Sequence, residues 1–247
     1  MTVQYKAYFK VVAKAFLPPV ILGLLRPNRL LPRNLSLFQG KDRIDEKMLK
    51  YLNYENGYFF EIGAGDGVYL SNTYYFEKYK SWRGLLIDPV LHHYINCVEV
   101  RPASKTFLAS AVSFENRNLF SELYYAGYHS TSTSSSSDLP DPIEHIQDAK
   151  NFLPESTVGV KFLSANRTIT EMLDDALAPK LIDFFSLDVE GMELEVLKGF
   201  DFDKYQVKFI LVESRSLLAL SSYLELHSYN LVDQLGDCDY LFEYNSS

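Results

Sequence analysis

Apolar positions along this chain follow two alternating rhythms. Tyr58, Phe59, Phe60 and Ile62 make a short apolar run broken only by Glu61, the pattern of a buried strand. Similar runs follow at Gly84 to Asp88 (closed by Pro89), Phe107 to Val112 and Val160 to Leu163, then in LIDFFSLDVEG (residues 181–191) and at Val207 to Glu213. Between them the spacing changes to that of helices. Ile44, Met48, Leu49 and Leu52 share a face over Asp42 to Leu52, and Ser71-Asn72 can cap a helix carrying Tyr75, Phe76 and Tyr79 on one side. Further helices are predicted over His92 to Val98, over Glu171 to Leu177 with Thr170 as cap, over Glu193 to Lys198 stopped by Gly199, and over Ser216 to His227. YNLVDQLGDCDYLFEY reads as two strands around Gly236-Asp237, a hairpin.

Alternating strands and helices predict an α/β fold: a mostly parallel, doubly wound sheet with right-handed crossovers and a C-terminal antiparallel hairpin. Its ligand crevice is expected at the carboxyl ends of the central strands. Residues 113–160 break the rhythm and include AGYHSTSTSSSSDLPDP, a serine-rich stretch too polar to pack. The organisation expected is an N-terminal arm, residues 1–41, and a domain over residues 42–247 with an insert at about 113–160.

Charge changes this picture in one respect. The formal net charge of −8 argues against a nucleic-acid partner, yet residues 1–41 carry seven Lys/Arg and no acid, leaving −15 on the remainder. With the apolar run VVAKAFLPPVILGLL, which Lys14 and Pro18-Pro19 interrupt, the arm reads as an interfacial helix or a packing arm rather than a span. Peripheral membrane contact through residues 5–33 is the expectation. Two cysteines make no disulfide framework, so a reduced, cytoplasmic protein is expected, peripheral at the inner face of a membrane.

The chemistry begins where the first strand ends. Gly63, Gly65 and Gly67 supply positive φ and close backbone approach between a strand and a helix. A dinucleotide turn wants its third glycine one residue later, and Glu61 would repel a pyrophosphate. An acidic strand end suits a cationic ligand, and S-adenosylmethionine carries a sulfonium and an ammonium. Asp88, 21 residues beyond Gly67, is placed to accept both ribose hydroxyls. Ala111, with Val112, either lines the adenine or belongs to a plain core strand; Asn72 either reaches the methionyl carboxylate or caps its helix. Asp188 and Glu190 end one apolar strand and Glu213 the next, acids that face a crevice rather than a core. His92-His93 reads as a surface helix feature, and Tyr124, Tyr125, Tyr128 and His129 either stack on a sugar or pack the insert.

EIGAGDG, the LLIDP strand end, and IDFFSLDVEGMELEVLKGF followed by FILVE resemble the FkbM-type methyltransferases, and SNTYYFEKYKSWRGLLIDP is similar to a subgroup with Star-like motifs. The resemblance covers roughly residues 57 to 243 apart from the serine-rich insert; Asp88 stands where Glu is the commoner residue. It implies a Rossmann-like class I methyltransferase fold. The implied function is S-adenosylmethionine-dependent O-methylation of a hydroxyl on a carbohydrate, glycolipid or related natural product. The cofactor site would comprise Glu61, Gly63, Gly65, Gly67, Asn72, Asp88 and Ala111. Asp188 would be the base or acceptor anchor, supported by Glu190 or Glu213. A divalent cation such as Mg²⁺ is a second cofactor candidate, with no residue assigned as its ligand. The alternative is a non-catalytic adaptor that keeps the fold.

Overall fold

The computed structural model describes residues 36–117, 119–133, 137–151, 153–154 and 157–245. Residues 37–247 form one compact unit. Residues 1–35 of the arm, and with them the membrane-contact expectation for residues 5–33, lie outside the described residues. Among those described, no helix is long and apolar enough to cross a membrane.

Ten strands are described: β1 (Tyr58–Ile62), β2 (Arg83–Asp88), β3 (Lys105–Leu108), β4 (Ser110–Ala111), β5 (Phe120–Tyr125), β6 (Val160–Arg167), β7 (Leu181–Leu187), β8 (Gln206–Glu213), β9 (Tyr229–Gln234) and β10 (Asp239–Tyr244). The helices are α1 (Ile44–Lys47), α2 (Tyr74–Lys80), α3 (Leu91–Val100), α4 (Pro142–Asp148), α5 (Ile169–Ala176), α6 (Glu193–Leu197) and α7 (Leu217–Glu225). Seven strands form the main sheet in the order β3-β2-β1-β7-β8-β10-β9. All its pairings are parallel except those of β10, which runs antiparallel to both β8 and β9. A smaller sheet, β4-β6-β5, takes β5 from the insert.

The period of two along β1 divides its side chains between two cores. Phe60 and Ile62 face α5, α6 and α7, where Ile169, Met172, Leu173, Val196, Leu197 and Leu224 cover them. Phe59 faces the other layer, with Met48, Phe76, Trp82 and Cys97. Phe60 stacks on Phe185 of β7 at 3.9 Å between ring centroids. This burial on both faces explains why β1 and β7 read as continuous apolar runs.

The structure corrects two expectations from the chain's rhythm. The run Phe107 to Val112 is not one strand: β3 joins the main sheet, whereas Ser110 and Ala111 pair with Asn166 and Arg167 of β6 in the small sheet. The helix cap is Thr168, not Thr170. Thr168 accepts from the Glu171 amide, and Glu171 accepts from the Thr168 amide in return, a capping box. Thr170 is buried and uses its hydroxyl across the fold, donating to the Gly199 carbonyl and accepting from the Asp201 amide.

Candidate functional site

Register brings the acids together. Ile62 is opposite Ile87 of β2 and Leu187 of β7, and Leu187 is opposite Val212 of β8. One residue further along, Asp88, Gly63, Asp188 and Glu213 therefore form a row across four strand ends. Asp239 of β10, opposite Glu213, extends it. At the centre of the row the chain needs glycine: Gly63 has φ +82°, and a Cβ there would collide with the Asp188 carbonyl oxygen. A cavity of about 760 Å³ opens over the row, and Gly63, Gly65, Asp88, Asp188 and Glu213 line it.

Asp88 is buried and anchored at both oxygens. Its Oδ2 accepts from the Gly65 amide at 2.9 Å and its Oδ1 from the Val90 amide at 2.8 Å, with His93 Nδ1 at 3.2 Å. Oδ2, with the Gly65 amide as its one hydrogen-bond donor, keeps a further lone pair for a ligand. His93 is 4% exposed, so it is not the surface feature the sequence suggested. Its ring stacks on Tyr128 at 5.3 Å, and the Tyr128 hydroxyl donates to Asp66 at 2.9 Å. Tyr128 thus brings the insert down onto the glycine turn, where a Cβ at Gly65 would lie 2.9 Å from its ring. Ala111 lines the same cavity.

Three of the anticipated cofactor residues serve the turn from behind and do not line the cavity. Glu61 faces the layer of Phe59 and is 3% exposed. It accepts from the Ser71 hydroxyl (2.7 Å), the Thr73 hydroxyl (2.7 Å) and the Asn72 amide (2.8 Å). Burial raises its carboxyl pKa, against Arg101 and these donors. Asn72 donates from its side chain to Ser186 at 3.1 Å, while Ser71, not Asn72, accepts from the Tyr74 amide at the start of α2. The Gly67 carbonyl accepts from Arg101 at 2.9 Å. Arg101, which sequence reasoning missed, is 1% exposed; it also donates to Ser71, Thr73 and Glu77. Its only sequence signal was a lone cation at the end of a helix.

Asp188, Glu190 and Glu213 do meet, their carboxylate oxygens within 4.8 Å of one another. Burial, then the charges of Glu213 and Glu190, push the Asp188 carboxyl well above the usual range. Among the described residues no hydrogen-bond donor reaches its buried Oδ1. Glu190 goes the other way: burial would raise it, but His129 and His145 outweigh that and hold its carboxyl at about 2. Its backbone is left-handed, φ +54°, pinned by the Thr131 hydroxyl donating to the Glu190 carbonyl at 2.7 Å. Lys41 lies 3.3 Å from Glu213 and Arg215 3.6 Å from Glu190. Behind this turn, burial pushes Glu193 up to about 7, although its Oε1 accepts from the Val189 and Gly191 amides.

Residues 61–241 match the model of the methyltransferase FkbM domain. The chain belongs to the FkbM methyltransferase family. Its fold is the Rossmann-like one of class I S-adenosylmethionine-dependent methyltransferases, to which that family's cofactor also points. An FkbM methyltransferase from Methylobacillus flagellatus is 16% identical with a TM-score of 0.45; the match covers 79% of this chain and 45% of that one. This chain thus spans less than half the length of that FkbM protein. A precorrin-6y C5,15-methyltransferase from Geobacter metallireducens is 10% identical (TM-score 0.43), with 86% of this chain and 93% of that one covered. A human methyltransferase 10 domain containing protein is 12% identical (TM-score 0.41), with 82% and 79% covered. No curated protein matches the sequence.

The FkbM site fits S-adenosylmethionine on its own geometry. The cavity lies in the usual 300–1,000 Å³ range for small-ligand sites, roughly. Asp88 stands at the end of β2 beside the turn, and the acid row favours a cationic ligand.

Proposed function

We propose that the protein is an S-adenosylmethionine-dependent O-methyltransferase acting on a hydroxyl of a carbohydrate, glycolipid or related natural product. The observation that carries this reading is the acid row, which puts Asp88 on one side of Gly63 and the Asp188–Glu213 pair on the other, within one cavity. Asp88 would hold the ribose hydroxyls, the Gly63–Gly65 backbone would lie against the ligand, and Ala111 would line the adenine. When bound, the cofactor supplies a methyl group on a sulfonium, a leaving group that needs no acid.

The chain's own task is to orient the acceptor hydroxyl and take its proton as the new oxygen–carbon bond forms. Asp188 suits that role. Once it has lost its proton, its raised pKa makes it a stronger base than an ordinary aspartate. The charges of Glu213 and Glu190 add to that basicity, and positioning of the acceptor supplies much of the rate. The three carboxylates also fit a divalent cation such as Mg²⁺, which would lower the pKa of a bound hydroxyl. A neutral, hydroxyl-rich acceptor agrees with the acidic surroundings, whereas a nucleic acid would be repelled. Peripheral membrane contact through residues 5–33, at the cytoplasmic face, rests on the basic and apolar sequence of the arm alone.

Calorimetry with S-adenosylmethionine and methyl transfer to glycan and glycolipid fractions, followed with labelled methyl, test the proposal together. Asp88→Ala should weaken cofactor binding by roughly 10- to 100-fold, the scale of lost charge-assisted hydrogen bonds. Cofactor binding with no transfer to any fraction would favour the adaptor reading instead.

A further inference from the structure

Two sets of metal-ligating atoms meet at Glu190. Asp188 and Glu213 offer carboxylate oxygens on one side and His129 and His145 ring nitrogens on the other; within each set, Glu190 included, the ligand atoms lie within 4.8 Å of one another. His129 Nδ1 is 3.4 Å from Glu190 Oε1, and His145 Nε2 is 3.0 Å from Oε2. Ligand atoms bound about 2.1 Å from a tetrahedral ion stand about 3.4 Å apart, so these separations match edges of a coordination shell.

They are also the distances of imidazolium–carboxylate pairs, and three observations separate the two readings. The His145 ring is not aligned to donate Nε2–H along its 3.0 Å approach. Glu190 already has a permanent cation in Arg215, so charge balance does not require protonated imidazoles. Asp188 Oδ1 is buried beside the cluster, and no donor among the described residues reaches it. A cation among these groups accounts for the unaligned imidazole and the unpartnered oxygen.

We propose that His129, His145 and Glu190 hold one first-row transition-metal dication of the zinc class in preference to Mg²⁺, with Asp188 and Glu213, which meet Glu190 from its other side, adding negative charge beside it. Imidazole ligands set that preference, because Mg²⁺ takes oxygen ligands and keeps its waters. Both histidines come from the insert. His129 ends the turn Gly127–His129, and His145 lies on α4, which starts where Asp141 accepts from the Ile143 and Glu144 amides. The ion would therefore clip the insert to the turn after β7. Metal binding is read directly, so the proposal does not depend on methyl transfer.

The full chain, stripped with a chelator and dialysed, is titrated with Zn²⁺ and with Mg²⁺ by calorimetry, and with Co²⁺ by visible absorption. The expected result is one Zn²⁺ per chain, bound at least about 100-fold more tightly than Mg²⁺. The Co²⁺ spectrum should show nitrogen and oxygen coordination without the thiolate charge-transfer band that Cys97 or Cys238 would give. His129→Ala and His145→Ala should each weaken Zn²⁺ binding by about tenfold or more while Mg²⁺ binding is unchanged. Zn²⁺ binding no tighter than Mg²⁺, a thiolate band, or unchanged Zn²⁺ affinity in both variants would overturn the proposal. The Co²⁺ spectrum decides even where a variant fails to fold, and S-adenosylmethionine calorimetry on the same sample reports on the methyltransferase reading separately.

Discussion

Glu61 and Asp188 stand near the same end of the neighbouring strands β1 and β7, and their surroundings differ in kind. Glu61 is enclosed by the donors of Ser71, Thr73 and Asn72, with Arg101 3.9 Å away. Asp188 is crowded by Glu213 and Glu190 and keeps an oxygen that no described donor reaches. A buried acid supplied with donors is a structural joint, because its charge is already neutralised. A buried acid pressed against like charges raises the folded state's free energy, and such an arrangement persists where it serves a ligand or a reaction. The glycine-turn half of the site is thus built to stay still, and under the proposed function the carboxylate half is the part that reacts.

The sharpest way to break this contrast is to remove the cation of the quiet half. Arg101→Met leaves Glu61 and Glu77 buried without their partner and should cost about 3–5 kcal/mol of stability in urea unfolding. A loss below about 1 kcal/mol would show that the network is not a joint. In the reactive half, Asp188→Asn should leave the fold intact and cut methyl transfer by about 10²-fold or more, with cofactor affinity little changed. Full turnover on the true acceptor would remove Asp188 from the chemistry.

Glu193 sharpens the comparison through pH. Its carboxyl is raised in the folded state, so the stability it confers is fully present below its ordinary value of 4.5 and is lost as pH rises through about 7. Between pH 5 and 8 the loss should be about 2 kcal/mol, and Glu193→Gln should remove that part of the slope. Equal slopes in the two proteins would contradict the assignment. The smallest effect is expected at Tyr128. Tyr128→Phe deletes the hydroxyl bond to Asp66 but keeps the ring on His93, so cofactor affinity should change by about tenfold or less. A larger change would mean that the hydroxyl itself meets the ligand.

Sequence made the sheet readable because its central strands are buried on both faces: Phe59, Phe60, Phe184 and Phe185 leave little choice of element. The row of Asp88, Asp188 and Glu213 was legible for a related reason, since an acid closing an apolar run has only the strand end to occupy. Glu61 looked like the same signal. The partners that turn it inward, Ser71, Thr73 and Arg101, lie 10 to 40 positions away, and no local pattern links them. The split of Phe107 to Val112 escaped because nothing local marks Ala109 as the point where the chain changes sheets. His129 and His145, 16 positions apart in the insert, converge only through Glu190, whose left-handed backbone the sequence does not announce.

β1 lies between β2 and β7, and Phe59 pairs with Phe184, 125 positions later. During synthesis that edge of β1 therefore waits, apolar and unpaired, until most of the domain has left the ribosome. Long-range parallel pairing is slow to form, and an open strand edge recruits other chains meanwhile. A truncation that stops before Leu181 should accordingly yield an aggregating fragment and not a smaller folded domain.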